Sequence, residues 1–546
     1  MVNRVPSAGV GEFEALAQVN DDAWSTMTPL VELAPGGAHT GESEATGRRV
    51  ITSIDGSNIG GSTIDGSLVA TMAEFVGRAE ELNRLERHLQ TVRGGEARLV
   101  SVRGRRQVGK SRLVSEFVAR SGLPQLFVTG SRQASLAGDL ESFRQDAGLN
   151  CTLPGSDLLA DTSFATWEQA LLAVRAALPD SVPSIVVLDE LPWLLRRDAG
   201  LDGTIQKLWD RHFESVPVLM ILIGSDLSVM KMLTDHNRPL YGRASEMVIN
   251  PLSVADTARM AGIGDTDPDA AAEAFDAALL TGGYPRLVLE WRRTPHLAEF
   301  LRTQLGDEGS EVVTAGRRIL DAEFPADLQA SDVLRAIGTG ECTFTTVSDK
   351  AGISSVSLGR ALKLLTAKQV IATDHPVSTR PAPKLSRYRV ADPYLRFWLR
   401  FVEPGIPDIQ RGRPDLATAR ITRDWTDYRG SAIEPLVREA LTRLAADDPA
   451  LGGAEAVGGW WPRNNNPEVD LVGVTPARNP SRVSFIGSVK WRETAPFDSR
   501  DLASLAAVRK HVPGADLAAL VAVARTTCTT TPDAFYSATD LLRAWP

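Results

Sequence analysis

Apolar and polar positions alternate in register along most of the chain. EELNRLERHLQTV (80–92) places its apolar residues at helical spacing and predicts an amphipathic helix. ARLVSV (97–102), LPQLFVTG (123–130), SIVVLDE (184–190) and VPVLMILIGS (216–225) are β-rich runs, the last two apolar at successive positions. Helical patterns follow at RLVSEFVAR, 164–178 and 203–214. Strands that alternate with helices and are apolar on both faces predict an α/β fold with a parallel sheet covered on both sides. Beyond about residue 250 the strands stop, and helices are expected near 253–262, 268–281, 285–292 and 309–322. Residues 326–400 read as three short helices and a hairpin, and 405–425 as a proline-containing connection. A helix at 431–446, strands near 455–461, 468–474 and 482–490, and the apolar run DLAALVAVA (516–524) close the chain in a second α/β region.

The first 71 residues do not share this pattern. They hold nine acidic and three basic residues, many Gly, Ser and Thr, and an echo of SIDGS (53–57) in TIDGS (63–67). The segment reads as a flexible acidic leader with turns and one helical stretch, GEFEALAQV, or as an extension upstream of a functional start at Met72. A small docking element is the competing reading.

Length and composition narrow the class. The chain has 546 residues, 43% hydrophobic and 23% charged, enough for three or four globular domains. A net charge of −9 excludes a general polycation, so nucleic acid could be bound only by a local patch. Cys151, Cys342 and Cys528 are far apart and show no metal-binding spacing. The longest apolar run, 216–224, is well short of the roughly 18 residues that span a bilayer, and the start lacks a secretory pattern. A cytoplasmic location is therefore expected.

Candidate chemistry begins after the first strand. Gly104-Arg105-Arg106-Gln107-Val108-Gly109-Lys110-Ser111 satisfies GxxxxGK[ST] in full. Its glycines let backbone N–H groups turn toward phosphate oxygens, Lys110 would neutralise the β- and γ-phosphates, and Ser111 would bind Mg²⁺. Arg112 follows in the first turn of a helix whose positive end faces the same anion. Ile185-Val186-Val187-Leu188-Asp189-Glu190 supplies the acid-tipped strand such a site needs, with Asp189 expected near Mg²⁺ and Glu190 orienting the attacking water. Ser225, at the end of the next apolar run, can reach the γ-phosphate or the water, and a simple turn role is equally compatible with its position. Arg243 in PLYGR is a candidate charge-stabilising arginine, of the kind that can act across a subunit interface.

FVGRAEEL, GRRQVGKSRL, VVLDELPWL, ILIGSDLSVM, PLYGR and GGYPRLVLEW occur in one order along residues 75–291. In this the chain resembles the archaeal-type AAA ATPases of the STAND-like group, which also occur in bacteria. The resemblance implies a P-loop NTPase core at 72–250 and a helical lid at 251–325, with ATP and Mg as ligands. It also implies Arg78 near the nucleotide base, Ser225 as a sensor, and Arg243 and Arg286 as sensor or finger residues. That group usually carries a further basic residue where Gln107 stands.

The C-terminal half extends the expectation to DNA. Residues 326–400 hold eleven Lys or Arg against six Asp or Glu. TFTTVSDKAGISSVSLGRALKLLTAKQVI has helix–turn–helix grammar, and a hairpin follows, so 326–404 reads as a winged helix. Arg360, Lys363, Arg380, Lys384 and Arg387 are its candidate DNA contacts. Residues 405–546 resemble the restriction-endonuclease-like domain that follows such ATPases. Glu434, Asp470 and Lys490 occupy the positions of a metal site there. Ser488 stands where that pattern has an acid, and a hydroxyl holds a hard cation poorly. Glu468 or Glu493 would have to compensate. Three functions follow as expectations: an ATPase coupling nucleotide state to DNA or partner binding, a nucleotide-gated DNA switch, or an ATP-regulated nuclease. A homo-oligomer is the assembly in which Arg243 could act in trans.

Overall fold

Four of the apolar runs become strands of one sheet. β1 (Arg98–Arg103), β2 (Gln125–Thr129), β3 (Ser184–Asp189), β4 (Val218–Gly224) and β5 (Ala244–Val248) lie in the order β2-β3-β4-β1-β5. Every pairing is parallel. This is a computed structural model, and it describes residues 75–545 apart from 133–134, 265–267, 324–327, 339, 341, 381 and 383. The leader, with its expected turns and helical stretch, lies outside the described residues.

The side-chain period of two explains the continuous apolar runs. On β4, Leu219, Ile221 and Ile223 enter one core, and Val218, Met220 and Leu222 enter another on the opposite face. β5 was not expected. Its residues ASEMV put Ser245 and Glu246 side by side instead of alternating, and it sits at the sheet edge where only Met247 is buried.

The helices expected beyond residue 250 form at Val254–Ala261, Pro268–Thr281, Pro285–Arg293 and Glu311–Glu323, with a further one at Leu297–Leu305. Leu328–Gly338, Phe344–Ala351 and Ser355–Ala367 then pack with a small sheet of β6 (Cys342–Thr343), β7 (Ile371–Asp374) and β8 (Arg387–Val390), in the order β6-β8-β7. Ser354 caps the third helix through Ser357 N, as its place after the turn suggests.

The proline-containing stretch corrects the sequence reading. It is two helices, Glu403–Gln410 and Pro414–Ala432. Pro414 takes the first helical turn, where its missing N–H costs nothing, and Pro407 sits inside the short first helix. Apolar packing overrides the breaker signal: Phe397, Phe401, Trp425 and Tyr428 stack with ring centroids 5.2 to 6.4 Å apart.

The last sheet is mixed, with order β13-β12-β11-β10-β9. β9 (Ala456–Trp460), β10 (Val469–Thr475) and β11 (Arg482–Lys490) are antiparallel, whereas β12 (Ala519–Ala524) and β13 (Ala534–Tyr536) add in parallel. One apolar core runs from the first described helix to Trp545, so the helices between 254 and 323, the helix–hairpin segment and this last region share buried contacts.

The segment 392–402 is the keystone of that core. Trp398 Nε1 donates to Val313 O at 2.9 Å, and Tyr394 Oη both donates to Val312 O and accepts from Gly316 N at 2.8 and 2.9 Å. Tyr394 thus inserts its hydroxyl into the hydrogen-bond ladder of Glu311–Glu323. A Cβ on Gly316 would overlap the Trp398 indole. Gly316→Ala should therefore destabilise the protein by about 1–3 kcal/mol in urea unfolding, the usual cost of overpacking. Gly359→Ala, at an exposed helical site with open space, should be neutral or stabilising.

Candidate active site at the strand tips

β4 lies between β3 and β1, so one end of three neighbouring strands gathers the predicted residues. β1 runs into Gly104–Gly109, and the helix Lys110–Ser121 starts immediately. Gly109 has φ 91°, a conformation that favours glycine. Gln107 reaches φ 65° without being glycine, and a Cβ on Gly104 would strike the carbonyl of Ile249. Lys110 is buried, and its Nζ donates to the carbonyls of Gly104 and Arg105 at 2.9 and 2.8 Å. The loop is curled around its own lysine. Val108 is buried beneath it, and Ser111 and Arg112 are exposed on the first helical turn.

Asp189 is buried at the end of β3 and accepts from Glu190 N at 2.8 Å. Glu190 has φ 52°. Strained backbone of this kind costs on the order of 1–3 kcal/mol and persists where surrounding contacts impose it. Its carboxylate accepts from Ser225 Oγ at 2.9 and 3.2 Å. Ser225, paired in the sequence reading with phosphate or water, thus has its hydroxyl on Glu190.

Other predicted residues are more dispersed. Arg78 is buried behind the loop and donates to Val108 O and to Glu81, both at 2.8 Å, so it braces the loop. Arg286 is exposed on the first turn of Pro285–Arg293, beside Pro285, the nearest neighbour of Gly109. Arg243 is bound by Asp210 at 2.6 and 2.8 Å, and the guanidinium holds that carboxyl below its usual range. Arg106 stacks on Trp193, whose ring also carries Arg196 and Arg132 at 4.5 and 5.8 Å. The sequence reading missed Trp193, although it lies within the quoted VVLDELPWL.

The C-terminal candidates separate into free and engaged groups. Arg360 and Lys363 are exposed on Ser355–Ala367, and Arg380 and Lys384 are exposed between β7 and β8. Arg387 is bound by Glu468 and stacks on Trp461 at 4.3 Å. The hairpin loop itself docks on the last sheet, through Val377 N to Gly459 O at 2.8 Å and Thr379 Oγ1 to Pro513 O at 3.0 Å.

In the second site Asp470 accepts from Ser488 Oγ at 3.0 Å and from Val489 N at 2.8 Å. Glu434 accepts from Arg438 at 2.6 Å, and Lys490 is half-buried at the end of β11. The two compensating acids are engaged elsewhere, Glu468 by Arg387 and Glu493 by Arg429 and Arg525. Among the described residues no group of three or more His, Cys, Asp or Glu is placed to hold a metal ion.

Residues 75–290 match a family described as an ATPase domain predominantly from Archaea. This region is thus similar to archaeal-type ATPase domains, and the loop Gly104–Ser111 lies within it. Residues 398–502 match a family of archaeal and bacterial proteins of unknown function. An uncharacterised protein of Methanocaldococcus jannaschii is 24% identical over 434 residues, covering 78% of this chain and 90% of the relative. Among solved structures, a Walker-type ATPase of Pyrococcus abyssi is 21% identical with a TM-score of 0.44, covering 60% of this chain and 96% of the other. The Aeropyrum pernix ORC2 protein in ADPNP–ADP complexes is 15% identical with a TM-score of 0.41, covering 62% of this chain and 95% of the other. Among the described residues no helix is long and apolar enough to cross a membrane.

A charged cluster joins the helix Pro268–Thr281 to the last region. Buried Arg429 donates to Asp276 at 3.2 Å and also engages Glu493, and Arg525 reaches Asp276 at 3.3 Å. Burial pushes the Asp276 carboxyl up to about 6 against the pull of both arginines. The unfolded carboxyl titrates near 4, so between about pH 4 and 6 the folded chain holds a proton that the unfolded chain has released. This group therefore makes stability fall as pH rises through that window. Asp276→Asn should flatten the change in urea midpoint between pH 4.5 and 6.5, and an unaltered slope would remove Asp276 from the account.

Proposed function

We propose that this protein binds Mg-ATP in the loop Gly104–Ser111, hydrolyses it, and passes the resulting change to a DNA- or partner-binding surface in its C-terminal half. The observation that carries this reading is the gathering of Lys110, Asp189, Glu190 and Ser225 at the tips of three adjacent parallel strands. Backbone N–H groups of the loop and the first turn after Gly109 would receive phosphate oxygens. Lys110, already aimed into the loop, would exchange its carbonyl partners for phosphate oxygens. Ser111 and Asp189 would hold Mg²⁺, which supplies charge neutralisation for the phosphates.

Glu190 is the group that would take a proton from the attacking water as the water oxygen bonds to the γ-phosphorus and the bond to the β-phosphate oxygen breaks. Ser225, through its hydrogen bond, fixes the direction of that carboxylate. Arg243 would act on the site of a neighbouring copy in a homo-oligomer, after exchanging Asp210 for the transferring phosphoryl group.

The exposed positions Ser355, Arg360 and Lys363 on Ser355–Ala367 favour DNA as the partner, with that helix as the recognition helix of a winged-helix module. A nucleotide-gated DNA switch with little turnover is the second reading, and it uses the same surface. A nuclease is the weaker reading, because Ser488 and Asp470 bond to each other and Glu434 is paired with Arg438.

Glu190→Gln should lower ATP turnover by about 100-fold or more, the usual worth of a positioned base, while retaining ATP binding. Unchanged turnover would sink the assigned mechanism. In the same assay Arg360→Glu with Lys363→Glu should remove any response to added DNA and leave the basal rate intact.

A further inference from the structure

The segment GGYP (282–285), unexplained by the site above, makes three contacts, two of them at or beside the Asp392 carboxylate and one on the nucleotide loop. Tyr284 is buried and donates its hydroxyl to Asp392 Oδ2 at 2.5 Å. Burial and the facing carboxylate hold the Tyr284 phenol far above its usual range, so it stays a donor. Gly282 has φ 60°, and a Cβ there would lie 2.7 Å from Tyr394 Cβ, so this turn packs directly on the Asp392–Tyr394 backbone. Pro285 meets Gly109 on its other side.

The phosphate-binding loop reaches the same carboxylate. Arg105 Nη1 donates to Asp392 Oδ2 at 2.9 Å, and Nη2 donates to the carbonyl of Gln369. Gln369 directly follows the C-cap of the exposed helix Ser355–Ala367, where a cation complements the helix dipole. Asp392 is almost wholly buried and caps the helix Pro393–Phe397 by accepting from Leu395 N at 2.9 Å. Ala391 N bonds Val370 O at 2.9 Å, which ties the two ends together. A second strut from the loop, Gln107 Nε2 to Glu311 at 3.4 Å, reaches the helix that Tyr394 and Trp398 penetrate.

We propose that Asp392 is a positioning residue that couples the nucleotide loop to the exposed helix Ser355–Ala367, with Arg105 and Tyr284 as its two arms. This rests on the reading of Gly104–Ser111 as a nucleotide site. Arg105 places its guanidinium on this joint. Phosphate oxygens entering the loop compete with Asp392 for its guanidinium. If the loop shifts alone, a buried carboxylate loses its cation, which is strongly unfavourable. The loop, the GGYP turn and the paired ends Gln369–Val370 and Ala391–Asp392 are therefore coupled in their movement. The helix carrying Arg360 and Lys363 thereby becomes sensitive to which nucleotide is bound.

The test is hydrogen–deuterium exchange on the full chain, without nucleotide and with Mg-ADP or Mg-AMPPNP. Binding of each nucleotide is measured separately with a fluorescent analogue. In the wild type, AMPPNP and ADP should give exchange rates in 355–370 that differ by about fivefold or more, the lower range of ordinary allosteric coupling. Asp392→Asn should still bind nucleotide and lose that difference. Tyr284→Phe is nearly isosteric and guards against a folding defect in the first variant. It should bind nucleotide and lose part of the difference. Wild-type protein that binds both nucleotides with identical exchange would overturn this coupling alone, as would variants that keep the full difference. Wild-type protein that binds neither nucleotide would overturn the functional reading, and the coupling with it.

Discussion

The burial of β4 on both faces is the constraint on which the architecture depends. Every residue from Val218 to Gly224 is buried, so helices must cover the sheet on each side, the setting in which parallel sheets occur, and all five strands run parallel. Parallel strands bring their carboxyl ends to one edge. With β4 between β3 and β1, that edge holds Asp189–Glu190, Ser225 and the Gly104–Ser111 loop side by side. The site is thus a consequence of sheet order, and strain at Gln107 and Glu190 is held in place by the rigid strands that precede them.

A second consequence concerns the C-terminal half. The region of the parallel sheet does not end at its own surface, because the helix Glu311–Glu323 that follows it is penetrated by Tyr394 and Trp398 and its Gly104–Ser111 loop is held by Asp392. The hairpin that reads as a DNA-binding wing is pinned to the last sheet, and Arg387 is spent on Glu468 and Trp461. Exposed bases include those on the face of Ser355–Ala367 and the loop bases Arg380 and Lys384. The basic bias of residues 326–400 is therefore divided between internal struts and a smaller outward surface.

The parallel sheet and its site were legible because their signals are local. A continuous apolar strand, a GxxxxGK[ST] loop and an acid-tipped strand each fit within ten residues. β5 was not legible, since an edge strand buries one face weakly and ASEMV shows no alternation worth reading. The helices at 403–432 were hidden by Pro407 and Pro414, whose cost is offset by aromatic packing that only the folded chain brings together. Asp392 carried no local signal at all. Its partners Tyr284 and Arg105 lie 108 and 287 residues away, and no periodicity encodes such a meeting. Of the acids read as a second metal site, Asp470 lies on a strand and Glu434 on a helix as expected, but hydrogen bonding absorbs Asp470 and ion pairing absorbs Glu434.

The central claim is that the curled loop around Lys110 is a nucleotide site. Calorimetric titration of ATP with Mg²⁺ into the full chain tests it most directly. Saturable binding with one nucleotide per chain is expected, with its loss in Lys110→Ala. A wild-type chain that binds no nucleotide, or a Lys110→Ala chain that binds it equally well, would rule out that role for the loop.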